Sequence, residues 1–595
     1  SHRGPDAQGI YLQEEVCLGH RRLSIIDVDT SSDQPFVDPK GRYVLVYNGE
    51  IYNFRELKAQ LVNWEFRTHS DTEVLMAAYD QWGLECLSLF NGMFAFALWD
   101  REEKKLIIAR DRLGIKPLYF ALKGKSLIFA SELRAILATG LIKPKLDRFS
   151  LSDFVQYQTV HDQRTILSGM EMLPPAHVLI LHDNEQTLKS YWRPEPLSLR
   201  IPSSREEVVK ALRTKLESAV ALRLVADVPF GAFLSGGIDS SAIVALMSKH
   251  SDTQVNTFSV TFDEGEYSES RYAQQVAHLY HTAHTEIRLS PEDFLDNLPK
   301  ALDHMDHPSG DGPNSFIVSK VTKEAGVTMA LSGLGGDELF TGYGLFQQTS
   351  SLLDKKWIEI YPMFLRRLLA NVLKMVKKDA PGEKMASILT LQWMDLLHIY
   401  PEMRKVLPDH IIEDLLNLSR GMERFSMPRQ MRNWQGDWKS WPRMSQISWA
   451  EMNTYMRDVL LRDTDQMSMA HGLEVRVPFL DHRLVEFVLA LPDEYKQGTS
   501  TKALLVDAMG KDLPREIVYR PKMGFTLPWE YWMKGPLKAF CEQHITALGQ
   551  RGILNERVLQ DIWKGFIKGD KRYTYSRLWH FVVLEYWMTK NHVSS

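Results

Sequence analysis

A chain of 595 residues is long enough for two to four domains at roughly 100–200 residues each, with cores that need no staples. Lysine plus arginine (71) nearly balance aspartate plus glutamate (75), a formal net charge of -4, so the bulk charge carries no footprint for nucleic acid or an anionic membrane. The three cysteines, Cys17, Cys86 and Cys541, are widely separated, which excludes a disulfide framework and a zinc cluster and points to a reducing, cytoplasmic compartment.

The N-terminal part, to about residue 190, alternates short strand-like runs with helical ones. Tyr43-Val44-Leu45-Val46-Tyr47, Met93 to Trp99, Leu106 to Ala109 and Leu127 to Ala130 read as strands. Arg55 to Leu61 and Asp71 to Tyr79 read as helices, the second opened by Ser70 or Asp71 as N-cap. This predicts an α+β domain over 1–192. A proline-bearing polar stretch at 193–207 reads as a linker.

From 208 to 590 a second domain is expected. Strand and helix signals alternate to about residue 345, the mark of a parallel α/β sheet. The remainder is helical and rich in Trp and Met, with Trp393, Trp434, Trp438, Trp441 and Trp449 expected mostly in cores or helix packing. No run of about 18 uncharged apolar residues occurs, so a membrane span is not expected.

Ser235-Gly236-Gly237-Ile238-Asp239-Ser240-Ser241 lies between a strand and the helical run Ala242 to Met247. The glycines permit a tight turn at a helix N-terminus, which makes a cradle for pyrophosphate. Asp239 would repel a phosphate by itself and makes sense beside Mg²⁺. The spacing is neither GxxxxGK[ST] nor GxGxxG, which argues against γ-phosphoryl transfer and dinucleotide binding. It resembles the PP-loop of ATP pyrophosphatases, which cleave ATP between the α and β phosphates. A second cluster, Ser332-Gly333-Leu334-Gly335-Gly336-Asp337-Glu338-Leu339-Phe340-Thr341-Gly342-Tyr343, supplies further glycines and a second acidic arm.

Together with Met469 to His482, these motifs make the sequence resemble the glutamine-dependent asparagine synthetases over nearly its whole length. The resemblance implies an N-terminal nucleophile (Ntn) amidotransferase domain followed by an α/β PP-loop domain with a helical C-terminal part. It implies an enzyme that adenylylates a carboxylate with ATP and Mg²⁺ and passes ammonia from glutamine to it through an internal tunnel, with L-aspartate as the default acceptor. By motif position, Arg22 would hold the glutamine α-carboxylate, Glu50 and Asp71 its ammonium, and Asn48 with Gly49 the oxyanion. Ser235, Gly236, Gly237, Asp239 and Ser240 would take pyrophosphate and Mg²⁺, Ser332 and Gly333 the AMP portion, and Asp337 the metal. Lys522 would stabilise charge on the α-phosphate, and Lys502 would assist with phosphates. A homodimer is compatible with the resemblance; a nucleic-acid or membrane partner is not expected.

The family nucleophile is an N-terminal Cys on a strand before His2-Arg3-Gly4-Pro5-Asp6, and this sequence starts at that motif. The chain as given is therefore expected to lack glutaminase activity, with truncation as the favoured explanation. Cys17 lies in a strand-like run and is expected to be a small core residue; Ser1 stands at the wrong place to substitute. Two departures touch the acceptor. Leu334 stands where asparagine synthetases commonly carry an acidic residue, and Asp311-Gly312-Pro313-Asn314 lacks the usual serines. These leave open another carboxylate, on a sugar or secondary metabolite, or a β-lactam synthetase-like cyclisation. A binding-only pseudoenzyme sits poorly with intact Asp239, Asp337 and Lys522, and a tRNA-modifying enzyme with the absent basic excess.

Overall fold

The structure is a computed structural model that describes all residues except 263–269, 419–426, 435 and 521–527. The first 190 residues build a hairpin and two antiparallel sheets. Strands β1 (Ala7–Leu12) and β2 (Cys17–Arg22) form the hairpin. Strands β3 (Phe36–Val37), β4 (Tyr43–Ile51), β5 (Gly92–Asp100) and β6 (Lys105–Arg110) join β10 (His177–His182) and β11 (Glu185–Ser190) in a six-stranded sheet, ordered β11-β10-β6-β5-β4-β3. Strands β7 (Tyr119–Lys123), β8 (Ser126–Ala130) and β9 (Met170–Met172) form a smaller sheet, ordered β8-β7-β9.

Strands β4 and β5 are buried along most of their length. Leu45, Tyr47, Phe94, Phe96 and Leu98 pack with Val74, Leu75 and Ala78 of the helix Asp71–Trp82 on one face of the sheet. Val44, Val46, Ala95, Ala97 and Trp99 make a second cluster on the other. This period-2 sorting is what places apolar side chains on both faces of a doubly covered sheet. Ser70 is the N-cap, its Oγ accepting from the Thr72 amide at 3.1 Å. Cys17 corrects an expectation: it is exposed, because in the alternation of β2 the adjacent Leu18 takes the inward position.

The second half is built on a parallel five-stranded sheet, ordered β14-β13-β12-β15-β16. Its strands are β12 (Phe230–Phe233), β13 (Asn256–Phe262), β14 (Ala283–Leu289), β15 (Met329–Leu331) and β16 (Glu474–Arg476). From β12 the chain winds outward to one side through β13 and β14, then crosses back to lay β15 and β16 on the other. The carboxyl ends of β12 and β15 thus flank a topological switch point, where parallel sheets open a crevice. The rest is mainly helical, and Trp438, Trp441 and Trp449 are buried as expected. Trp393 is not; 51% of it is exposed.

The two halves meet over a polar, largely buried seam. Arg3 grips Asp465 through two hydrogen bonds of 2.7 and 3.1 Å. Asp306 accepts from the Leu133 amide at 2.7 Å and the Arg134 amide at 3.0 Å, and Asn91 donates to Asp481 at 2.8 Å.

Candidate active sites at two strand-end clusters

The loop after β12 folds as its glycines and serines dictate. Gly236 adopts φ +69°, and a Cβ there would lie 2.6 Å from Tyr272 and from the Ala273 amide, so a side chain is excluded twice. Ser235 Oγ accepts from the Gly237 amide at 3.3 Å and sits 3.1 Å from Ser240 Oγ, which donates to the Gly237 carbonyl. The helix Ile238–His250 starts directly behind this turn, so its N-terminal dipole end points into the crevice.

The loop after β15 closes against the first one. A Cβ on Gly333 would stand 2.8 Å from Asp239 Cβ, and one on Gly336 would stand 2.5 Å from the Asp239 carboxylate. The two glycines are what let the loops touch. Lys502, held in a left-handed conformation at φ +55°, is buried between them. Its ammonium pairs with Asp239 and lies 2.7 Å from Asp337. Burial disfavours that charge, but the two carboxylates more than offset it and hold Lys502 above the ordinary lysine pKa. The sequence-predicted Ser235, Gly236, Gly237, Asp239, Ser240, Ser332, Gly333, Asp337 and Lys502 are therefore brought to one crevice. Lys522 lies outside the described residues.

Beside the crevice, a pocket of about 290 Å³ runs along β12 and β13 to the helix Pro313–Glu324. Phe233, Phe258, Val260 and Val318 give it apolar walls, and Ser235, Ser332 and Asn314 line it with polar groups. Sequence reasoning missed these apolar residues, although the strand following the first motif was the place to seek them. It also missed Arg520, whose guanidinium lies over the Tyr272 ring at 4.7 Å and would stand 3.5 Å from a Cβ on Gly237.

Leu334 is half-buried against the main core. Nearby, the Tyr343 hydroxyl donates to buried Glu338 at 2.7 Å. Tyr455, on a π-helical stretch Met452–Leu461 inside a longer helix, stacks under Arg404 at 4.1 Å and meets Tyr343 edge-on. Such π segments recur at functional sites.

A second pocket, about 430 Å³, opens in the N-terminal half and is lined by Arg22, Asn48, Gly49, Glu50 and Asp71 together. Asp71 is buried at the start of its helix and accepts from the Tyr47 hydroxyl at 2.8 Å and the Ile51 amide at 2.9 Å; burial lifts its pKa. Glu50 is pushed well above the carboxylate range by burial, with Arg476 pulling it back from 3.3 Å. Its Oε2 is buried and has no hydrogen-bond partner. Asn48 Nδ2 reaches Ser131 Oγ at 3.5 Å, and Gly49 is packed so tightly on Met93 and Phe94 that no side chain fits. Arg22 is less free than its motif suggests. It donates to Asp33 and the Asp29 carbonyl at 2.8 Å each, and to the carbonyls of Ile26 and Asp27, so an incoming carboxylate must share or displace Asp33.

The wall of this second pocket includes Met469 and Glu474, contributed by the other half of the chain. Glu474 takes Arg476 at 2.8 Å, and β16, which carries both, pairs directly with β15. One strand thus separates the Glu50 pocket from the strand whose end bears Ser332 and Gly333.

A glutamine amidotransferase domain family model matches residues 1–192, and an asparagine synthase family model matches residues 211–589. A Bacillus subtilis (strain 168) protein, asparagine synthetase [glutamine-hydrolyzing] 1, is 32% identical over 596 residues, covering 99% of this chain and 92% of its own. Amidase chyE of Penicillium rubens is 30% identical over 608 residues, with 96% of this chain and 90% of that one covered. Amidase chry2 of Gibberella zeae is 28% identical over 626 residues, covering 95% and 89%.

Proposed function

This chain belongs to the asparagine synthase family, with a glutamine amidotransferase domain at its N-terminal end, and from that premise we propose that it amidates L-aspartate at the crevice between β12 and β15. The observation that carries the reading is the convergence of Asp239, Asp337 and Lys502 between two glycine-walled strand ends. Two carboxylates gathered on one buried cation fit Mg²⁺, which takes one or two carboxylates and completes its shell with phosphate oxygens. When bound, Mg²⁺ would neutralise charge on the phosphates of ATP.

The protein's own groups then divide the work. The amides and hydroxyls of 235–240 receive the β and γ phosphates, and the apolar pocket of Phe233, Phe258 and Val260 takes the adenine, an arrangement supported by its place beside Ser235 and Ser332. A carboxylate oxygen of the acceptor attacks the α-phosphorus, the bond to the bridging oxygen breaks, and pyrophosphate leaves. Lys502 and Arg520, with Lys522 as the resemblance implies, supply fixed positive charge as that leaving group develops. Ammonia attacks the activated carbonyl and loses one proton to solvent, and AMP departs with one former carboxylate oxygen. The acidic side chains of Glu50 and Asp71, which both line the pocket, suit the ammonium of glutamine, and Asn48 with the Gly49 amide suits an oxyanion. The shared wall at Met469 and Glu474 supports ammonia passing inward from there.

The test is to supply ATP, Mg²⁺ and aspartate with ammonium or glutamine, and to measure pyrophosphate and asparagine. Both products in equal amounts support the reading; pyrophosphate without asparagine removes the acceptor assignment. A second reading, a different carboxylate acceptor, is favoured by Leu334, which offers nothing to receive the proton that ammonia must shed. The two fungal relatives named as amidases also suit it. It predicts no pyrophosphate with aspartate, and release with another carboxylate.

A further inference from the structure

The helix Met363–Val376 is mounted inside out. Taken at about 100° per residue, Phe364, Leu365, Leu368, Leu369, Val372, Met375 and Val376 fall within an arc of about 140°. In a surface helix that stripe normally faces the core. Here it faces out, with Phe364 69%, Met375 72% and Val376 76% exposed. The buried side of the same helix holds Arg366 and Ala370. Arg366 is fixed there by donating to the carbonyls of Leu389 and Leu391, so the orientation is built in rather than a loose packing choice.

The turn leading into the helix continues the apolar surface with Trp357, Ile360 and Tyr361, all exposed. Trp393 is joined to it, because the Met394 amide donates to Glu359 of that turn. Isolated exposed apolar residues are ordinary, but a contiguous stripe with aromatics at its end marks an interaction surface.

Charge identifies the partner. Apart from buried Arg366, residues 354–379 carry six cations, Lys355, Lys356, Arg367, Lys374, Lys377 and Lys378, against three acids, Asp354, Glu359 and Asp379, in a chain whose net charge is -4. The chain-wide balance averages over this segment. Exposed Lys355 and Lys356 precede the helix, exposed Lys377 and Lys378 follow it, and Arg367 flanks the stripe. A second copy of this chain would bring the same cations against these, an unfavourable pairing; an anionic bilayer surface brings the opposite charge and accepts apolar side chains to a shallow depth. No helix among the described residues is long and apolar enough to cross a membrane, so the geometry suits lying on a bilayer. We propose that the face formed by Trp357, Tyr361, Phe364, Leu368, Val372 and Met375 docks this protein on anionic lipid membranes.

The experiment is co-flotation of the full chain with vesicles of phosphatidylglycerol and phosphatidylcholine in equal parts, and with phosphatidylcholine alone. Binding should be at least roughly tenfold stronger to the anionic vesicles and should weaken with salt. Leu368→Glu with Val372→Glu should abolish it, and Lys377→Glu with Lys378→Glu should reduce it roughly tenfold. All four positions are exposed or flank the helix, and unchanged thermal unfolding would establish that the variants fold. Equal binding to both vesicle types, no binding at all, or flotation unaffected by the substitutions would overturn the proposal. So would sedimentation showing a dimer that the Leu368→Glu, Val372→Glu variant dissociates, since the face would then be covered by a second copy.

Discussion

Burial makes the charged groups of the crevice costly unless they are paired. Lys502 is a buried cation held between Asp239 and Asp337, so the three form one electrostatic unit. Asp239→Asn removes a charge without changing shape and should lower kcat/KM for pyrophosphate release by roughly a hundredfold or more; a loss of less than about threefold would remove Asp239 from the reaction. Arg520 lies beside the first loop, and as a charge proposed to act while pyrophosphate leaves, its removal in Arg520→Ala should lower kcat and kcat/KM together with little change in KM for ATP, read from initial rates over ATP concentration; a rise in KM alone would contradict that role. Asp463 makes a different prediction. Burial lifts its carboxyl to about 8 from 3.8, and it accepts from Ser309 and from Gln466 at 3.0 Å. Between those values the folded protein holds a proton that the unfolded chain has released, so stability falls as pH rises across that window and the full cost stands above it. Asp463→Asn keeps a hydrogen-bonding group of the same shape and should flatten this fall, raising Tm relative to wild type most at pH 8; parallel Tm curves would contradict it.

Elements were legible in the sequence to the degree that their pattern is local. The alternation in Tyr43 to Tyr47 and Met93 to Trp99 gives β4 and β5, and Ser70 caps its helix, because strand pleat and cap chemistry act over a few residues. The two glycine loops were legible as motifs, and their assignment to one nucleotide site came from the resemblance to the asparagine synthetases, not from their spacing. Cys17 was misread because a strand-like run does not say which side of a hairpin faces water. The Glu50 to Arg476 contact could not be read, since it joins segments far apart in the chain, whereas the apolar wall at Phe258 and Val260 sits on the strand that follows the first motif and was simply not sought. The helix Met363–Val376 is instructive in the same way: its periodicity is plain, but only the Arg366 anchor reveals that the apolar stripe points outward. Gly336→Ala is the element-scale test of loop contact. Its Cβ would press on the Asp239 carboxylate at 2.5 Å, so pyrophosphate release should be lost, with a destabilisation of about 1–3 kcal/mol from the local overpacking; retained activity would contradict the close approach.

Across the whole molecule, β16 lies between the two sites, pairing with β15 and placing Glu474 on the wall of the N-terminal pocket. Arg476 is fully buried, pairs with Glu474 and Glu50, and donates to the carbonyls of Arg223 and Val225. Removing it as Arg476→Met leaves buried Glu50 without its ion-pair partner, while Glu474 keeps Lys116 at 3.6 Å, which should cost about 3 kcal/mol in urea unfolding. The central claim is that a carboxylate is adenylylated at the β12–β15 crevice before ammonia reaches it. The most direct measurement uses aspartate labelled with heavy oxygen in its side-chain carboxylate, together with ATP, Mg²⁺ and ammonium, and weighs the AMP formed. One labelled oxygen should appear in AMP for each asparagine made. Unlabelled AMP, or ADP in its place, would contradict it.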